Sequence, residues 1–289
     1  MTRAPTFELW DPNATQPSTN LVFSSPHSGR CYPESLVERS QLGLRRLRAS
    51  EDAWVDQLFS AAPEHGAPLI AALMPRAYLD LNRAPGELDP ALIEGARSTG
   101  INQRILAGLG VVPRVVAEGT PIYNGKISMA EAKARIDACH KPYHDTLNGL
   151  LTRARDFFGS ALLIDCHSMP SEALRAAPKI NGKLPEIVLG DRFGAAAGRN
   201  QISRVQAAFE RAGFTVARNL PFAGGYITQR YGKPAQGLHA IQVEIDRGLY
   251  LDQVQVEQGP RFDEIRTRLG QVVAELIEFG DQRQQVAAE

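Results

Sequence analysis

The strongest constraint on this chain is a series of short apolar runs, each ending abruptly in polar residues and separated by stretches of helical spacing. Leu21-Val22-Phe23 gives way to Ser24-Ser25-Pro26-His27, and Ala161-Leu162-Leu163-Ile164 gives way to Asp165-Cys166-His167-Ser168. Leu69–Leu73, Ala77–Leu81, Ile187–Leu189, Thr215–Ala217 and Ala240–Ile245 are further strand material. Continuous apolar runs of this length suit strands covered on both faces, as parallel strands are. Between them, Leu44–Ala49, Ala53–Ala62, Ser128 to Phe158, Arg199–Ala212 and Pro260–Phe279 carry apolar residues at helical spacing. Ser50 is placed to cap the second of these, with Glu51 and Asp52 in its first turn. Ser128 and Glu131 stand at capping-box spacing ahead of the long one. Strands alternating with helices predict an α/β fold: three layers, a mixed, mostly parallel sheet, and helices on both faces. Residues 1–20 read as an irregular arm, and the whole chain as a single domain, since no repeat or linker interrupts it.

Charge and cysteine content narrow the function. Lys and Arg number 32, as do Asp and Glu, so the formal net charge of the 289 residues is zero. With no basic run, neither nucleic acid nor an anionic membrane is an expected partner. The three cysteines, Cys31, Cys139 and Cys166, form no C-x-x-C pair, which fits a reducing compartment. The first residues lack the apolar core of a signal peptide, and no run approaches the roughly 20 apolar residues of a membrane span. A cytoplasmic protein acting on a small molecule is expected; its oligomeric state is not specified.

Several polar residues sit where open α/β sheets build their sites, at the carboxyl ends of strands. Pro26 fixes the approach to His27, and Gly29 permits close packing of backbone around it. In Asp165-Cys166-His167, period-two alternation puts Asp165 and His167 on one face, so the carboxylate can orient the imidazole. Two neutral imidazoles leave a zinc ion short of both ligands and charge, so a third, acidic ligand is required. Asp52 and Glu51 are both candidates, and spacing does not choose between them. His140 and His144 stand four apart on a predicted helix, also a metal-pair spacing. The residues between them are Lys141-Pro142-Tyr143, with no glutamate, and a packing role is the better reading.

Other residues suggest substrate handling. Arg76 and the Asp80-Leu81-Asn82-Arg83 cluster offer a planar guanidinium and an amide, groups suited to holding a carboxylate. Gln242 and Glu244 share one face of a strand whose other face is apolar. Burying a carboxylate there is costly unless it is paired or functional, so Glu244 is a candidate general base.

Taken in order, these motifs resemble the N-formylglutamate amidohydrolase family, zinc hydrolases related in fold to aspartoacylase and the zinc carboxypeptidases. The resemblance spans roughly residues 20 to 250. It rests on Ser25-Pro26-His27-Ser28-Gly29, Asp52 with Val55 and Leu58, Arg76 with Asp80-Leu81-Asn82-Arg83, and Pro142-Tyr143-His144. It continues through Asp165-Cys166-His167-Ser168, Gly224-Gly225-Tyr226-Ile227-Thr228 and Gly237-Leu238-His239-Ala240-Ile241-Gln242-Val243-Glu244. The resemblance implies one Zn²⁺, or another divalent ion, held by His27, Asp52 and His167. It implies Glu244 as base, Arg76 as oxyanion stabiliser, and Asn82, Arg83, Gly225 and Thr228 as substrate contacts. The implied reaction is deformylation of an N-formyl acidic amino acid, a step in histidine breakdown; hydrolysis of another N-acyl or N-formimidoyl amino acid, and carboxylate binding without catalysis, are the alternatives. Where relatives carry an arginine after the Gly-Gly-x-Ile-Thr turn, this chain has Gln229 and then Arg230.

Overall fold

The expected strands form the centre of one sheet in the computed structural model, which describes residues 5–97, 101–116 and 119–281. The seven strands are β1 (Phe7–Trp10), β2 (Leu21–Ser25), β3 (Leu69–Ala72), β4 (Ala161–Met169), β5 (Ile187–Gly190), β6 (Val216–Arg218) and β7 (Leu238–Asp246). Their spatial order is β1-β3-β2-β4-β7-β5-β6. β2 pairs with β4 and β4 with β7 in parallel, β5 runs parallel to β6, and β5 meets β7 antiparallel. The expected mixed, mostly parallel α/β sheet is thus the observed one. Within the first twenty residues, Phe7–Trp10 supplies an edge strand to it.

Burial explains the centre of the sheet. Val22, Phe23, Leu163, Ile164, Ile241 and Val243 are fully buried. Each such side chain contributes about 1.5–3 kcal/mol on leaving water, which drives these three runs to be neighbours. Contacts group the chain into two compact units, each discontinuous in sequence. One gathers Pro26–Ala53 and Ala71–Thr146, around buried Leu36, Leu47, Leu79, Ile122 and Tyr143. The other gathers Leu9–Ser25, Trp54–Ile70 and the chain from Leu147 onward, around Leu58, Phe59, Leu163, Val205, Phe209 and Val273.

Three local expectations are corrected. Ala77–Leu81 is not a strand but a turn and loop, opened when the N–H groups of Tyr78 and Leu79 both donate to the Pro75 carbonyl. Ala77, Leu79, Asp80 and Leu81 are all buried and Tyr78 half-buried, so the apolar character of the segment reports a buried loop, not sheet pairing. Ala53–Ala62 is not one helix: Val55–Leu58 and Ala61–Glu64 are separate short turns. Ser50 donates its hydroxyl back to Leu47 instead of capping forward, and Trp54 adopts a left-handed conformation at φ 65°. Glu51 and Asp52 therefore lie in a loop ahead of the helix.

The long helix is present but changes pitch. Met129–Arg135 begins at Ser128, whose hydroxyl accepts from Glu131 N at 3.1 Å as capping requires. Ile136–His140 then widens to a π-turn before Lys141–Phe158 resumes as α-helix. Pro142 has no N–H to give the preceding turn and its ring crowds that turn, which accounts for the bulge immediately before it.

Candidate metal centre

Strand β4 runs on past its apolar portion, Ala161–Ile164, to Met169, so Asp165 and His167 are strand residues near its carboxyl end. In the parallel register Asp165 lies beside Gln242 and His167 beside Glu244. Paired residues of adjacent strands face the same way, so these four polar side chains form a block on one face of the sheet. All four are buried. Asp165 is fully engaged: its Oδ1 accepts from the Ser24 hydroxyl at 3.2 Å, and its Oδ2 lies 3.0 Å from His167 Nε2. Cys166, between them, points to the other side and donates weakly to the Ile164 carbonyl. Burial, reinforced by the Asp165 charge, pushes its thiol pKa well up, so it remains a neutral thiol.

His27 lies two residues beyond β2. Its position depends on Gly29, where a side chain would have to enter Met74 backbone, with Met74 C only 2.6 Å from a Cβ. His27 is set between two acids: Nε2 is 2.7 Å from Asp80 Oδ1, and Nδ1 is 3.3 Å from Asp52 Oδ2. Both acids only accept, and a neutral imidazole has one N–H, so the shorter contact, to Asp80, is the one that holds the proton on Nε2 and leaves the Nδ1 lone pair facing Asp52. Asp80 is itself held on all sides. Its Oδ1 also accepts from Asn82 N at 2.8 Å, and its Oδ2 accepts from Arg76 Nε at 2.9 Å. Burial alone would raise its pKa, but the positive charges of Arg76 and Arg83 and the bonded His27 outweigh that and hold it well below the usual range.

His27, Asp52 and His167 each offer one ligand atom, and these atoms lie within 4.8 Å of one another. They are the one such group of three found among the described residues. The donor set fits a divalent ion. An Nδ1 lone pair and a carboxylate oxygen at 3.3 Å repel each other unless a cation or proton stands between them. That separation is also about the edge of a tetrahedron whose metal–ligand bonds are about 2.0 Å. Both histidines have Nε2 committed to a carboxylate, the arrangement that orients metal-ligating imidazoles.

The structure also separates Asp52 from Glu51. Glu51 turns away, accepting from Tyr32 Oη at 2.7 Å and from Arg48 Nε at 3.0 Å. Burial raises its pKa even so. His140 and His144 stack at 4.1 Å between ring centroids, and their Nε2 atoms bond the Arg83 and Leu81 carbonyls, each at 2.9 Å. They fasten the Asp80–Arg83 loop from behind.

The remaining expected site residues are placed as follows. Arg83 is buried, with Nε donating to Leu109 O and Nη1 to Asn82 O. Asn82 is buried beside it, its backbone committed to Asp80. Gly225 precedes the helix Tyr226–Tyr231, and the buried Thr228 hydroxyl donates back to Gly225 O at 2.9 Å. Glu244 accepts from Gln242 Nε2 at 2.7 Å. Arg230 is exposed, its guanidinium stacked against Tyr226 and Tyr231. Sequence reasoning noted Asp80 only as part of a cluster and missed it as the partner of His27. The available signal was the cost of an acid inside an otherwise apolar alternation.

A mixed α/β sheet carrying a buried histidine–aspartate–histidine group around the carboxyl ends of its parallel strands is the kind of architecture hydrolases use. A family model described as N-formylglutamate amidohydrolase matches residues 19–251, and the chain belongs to that family. It is 33% identical over 232 residues to an N-formylglutamate deformylase of Pseudomonas putida, covering 78% of this chain and 79% of the relative. It is 34% identical over 229 residues to an N-formylglutamate deformylase of Pseudomonas aeruginosa, with the same coverage of 78% and 79%. Among solved structures, it is similar to an N-formylglutamate amidohydrolase from Ralstonia eutropha, with a TM-score of 0.88 and 33% identity over 96% of this chain and 99% of that one. A protein from Agrobacterium tumefaciens shares the fold, with a TM-score of 0.57 and 19% identity over 94% of this chain and 96% of that one. No helix among the described residues is long and apolar enough to cross a membrane.

Proposed function

We propose that this chain is a zinc-dependent deformylase that hydrolyses N-formyl-L-glutamate to formate and L-glutamate. The observation that carries the metal is the pairing of each histidine's Nε2 with a buried carboxylate, at 2.7 Å for His27 and 3.0 Å for His167. That leaves the two Nδ1 atoms and the Asp52 carboxylate to hold the ion, with Asp80 and Asp165 supporting them. The substrate assignment is supported by the named activity of the two Pseudomonas relatives. The same reading carries a cytoplasmic setting and a step in histidine breakdown.

A divalent ion in such a site lowers the pKa of water from about 16 towards about 7 and polarises a carbonyl. The chain supplies the rest. Glu244 takes a proton from the attacking water and returns it to the amide nitrogen as the C–N bond breaks. Arg76 faces the oxygen that gains charge, a role for which Asp80 orients its guanidinium. Arg83 and Asn82 receive a substrate carboxylate, their loop fastened by His140 and His144.

The test is direct. The protein is stripped with a chelator and assayed for formate release from N-formyl-L-glutamate before and after zinc is restored. Activity that disappears and returns with zinc supports the reading, and protein that releases no formate in either state sinks it. Full activity in the stripped protein would keep the substrate and discard the metal.

A further inference from the structure

We propose that Gln242 recognises the amide N–H of the substrate, accepting it on Oε1 and holding the scissile nitrogen beside Glu244. The inference deepens the deformylase reading and rests on it.

Gln242 lies in β7 two residues before Glu244, on the same face, and is 4% exposed. Its Nε2 donates to Glu244 Oε1 at 2.7 Å. An ionised carboxylate only accepts, so this bond decides which end of the amide is which: nitrogen toward Glu244, oxygen away from it. Oε1 is buried and has no hydrogen-bond partner. A buried acceptor left this way is costly, and such atoms call for a ligand or an ordered water.

The sheet neighbours have no donor to give. Asp165, beside Gln242 in the register with β4, is a carboxylate already accepting from Ser24 and bonded to His167. On the other side Gln242 pairs with Gly190, which has no side chain. A Cβ at Gly190 would stand 2.6 Å from Ala223 C and 2.8 Å from Gly224 N, so the Ala223–Gly224 backbone closes directly over the strand there.

A formyl amino acid offers one matching group. At neutral pH its formyl oxygen and its carboxylates are acceptors, and its single donor is the amide N–H. Accepted by Oε1, that hydrogen holds the nitrogen next to Glu244, which Gln242 itself positions. When the C–N bond breaks, the nitrogen takes its new proton from Glu244 and leaves as the amine. The hydrogen held by Gln242 stays on nitrogen throughout. Gln242 thereby selects a secondary amide over an ester or an N-alkylated amide.

The experiment compares N-formyl-L-glutamate with its O-formyl counterpart, the formate ester of 2-hydroxyglutarate, in wild type and Gln242→Leu. Losing the Nε2 bond to Glu244 affects both substrates, so the readout is the ratio of kcat/KM for amide to ester. That ratio is expected to fall about tenfold or more, the scale for a site that has lost a hydrogen bond to a substrate N–H. Equal losses on both substrates would reduce Gln242 to a support for Glu244 and overturn the proposal. Undiminished amide turnover would assign Oε1 to water. Should the variant not fold, wild type is assayed on N-formyl-N-methyl-L-glutamate, which has no N–H; turnover equal to that of the parent substrate also overturns it. Wild type inactive on amide and ester alike would instead mark failure of the deformylase reading.

Discussion

The backbone N–H of Asp52 donates to the carbonyl of His27 at 3.0 Å, while the Asp52 carboxylate stands 3.3 Å from Nδ1 of the same histidine. One main-chain bond thus brings the two groups into register across a separation of 25 residues. It also decides which acid of the Glu51-Asp52 pair faces the imidazole, because the next residue back is drawn to Arg48 and Tyr32.

Asp80 holds His27 through Nε2, so its loss should weaken metal binding without removing a ligand. Asp80→Asn is expected to lower zinc affinity by about 10–100-fold, the scale for partners of metal-bound histidines. Competition against a chromogenic chelator measures it. Unchanged affinity would make the Asp80 bond incidental.

Glu244→Gln keeps the size and most of the hydrogen bonding of the residue but not its basicity. Formate release is expected to fall by about 10²–10⁴-fold, as loss of a general base does. Metal content per chain should be unaltered, since Glu244 is outside the His27, Asp52 and His167 group. A variant that instead loses metal would move Glu244 into the ligand set.

At Gly29 the neighbouring atoms are backbone and cannot swing aside. Gly29→Ala is expected to cost about 1–3 kcal/mol, the usual price of overpacking, and to lower metal occupancy by displacing His27. Chemical denaturation and metal analysis on one preparation check both; a variant with wild-type stability and occupancy would remove the close approach from the account.

Tyr32 makes a pH prediction. Burial, then the Glu51 charge and hydrogen bond, raises its pKa above the ordinary value of 10.0. The unfolded phenol ionises near pH 10 while the folded one keeps its proton, so this contribution is complete below about pH 10 and is lost as pH rises beyond it. Tyr32→Phe should therefore show a shallower fall in Tm between about pH 9 and 11. Parallel Tm curves for the two proteins would refute it.

Much of the fold was legible because its signals are local. Buried parallel strands must be apolar along their length, so β2, β4 and β7 announce themselves, and period-two alternation places Asp165 with His167 and Gln242 with Glu244 on shared faces. Ala77–Leu81 misled because a buried loop is as apolar along its length as a buried strand. Ala53–Ala62 misled because helical spacing cannot reveal a left-handed residue at Trp54.

The linear pattern was enough to bring His27 and His167 to the ends of buried strands and to mark Glu244 as a carboxylate out of place, since period and burial cost are properties of neighbouring residues. It could not choose Asp52 over Glu51, join Asp80 to His27, or leave Gln242 Oε1 without a donor. Those outcomes depend on hydrogen bonds between segments tens of residues apart, whose partners are fixed when packing sets the distances.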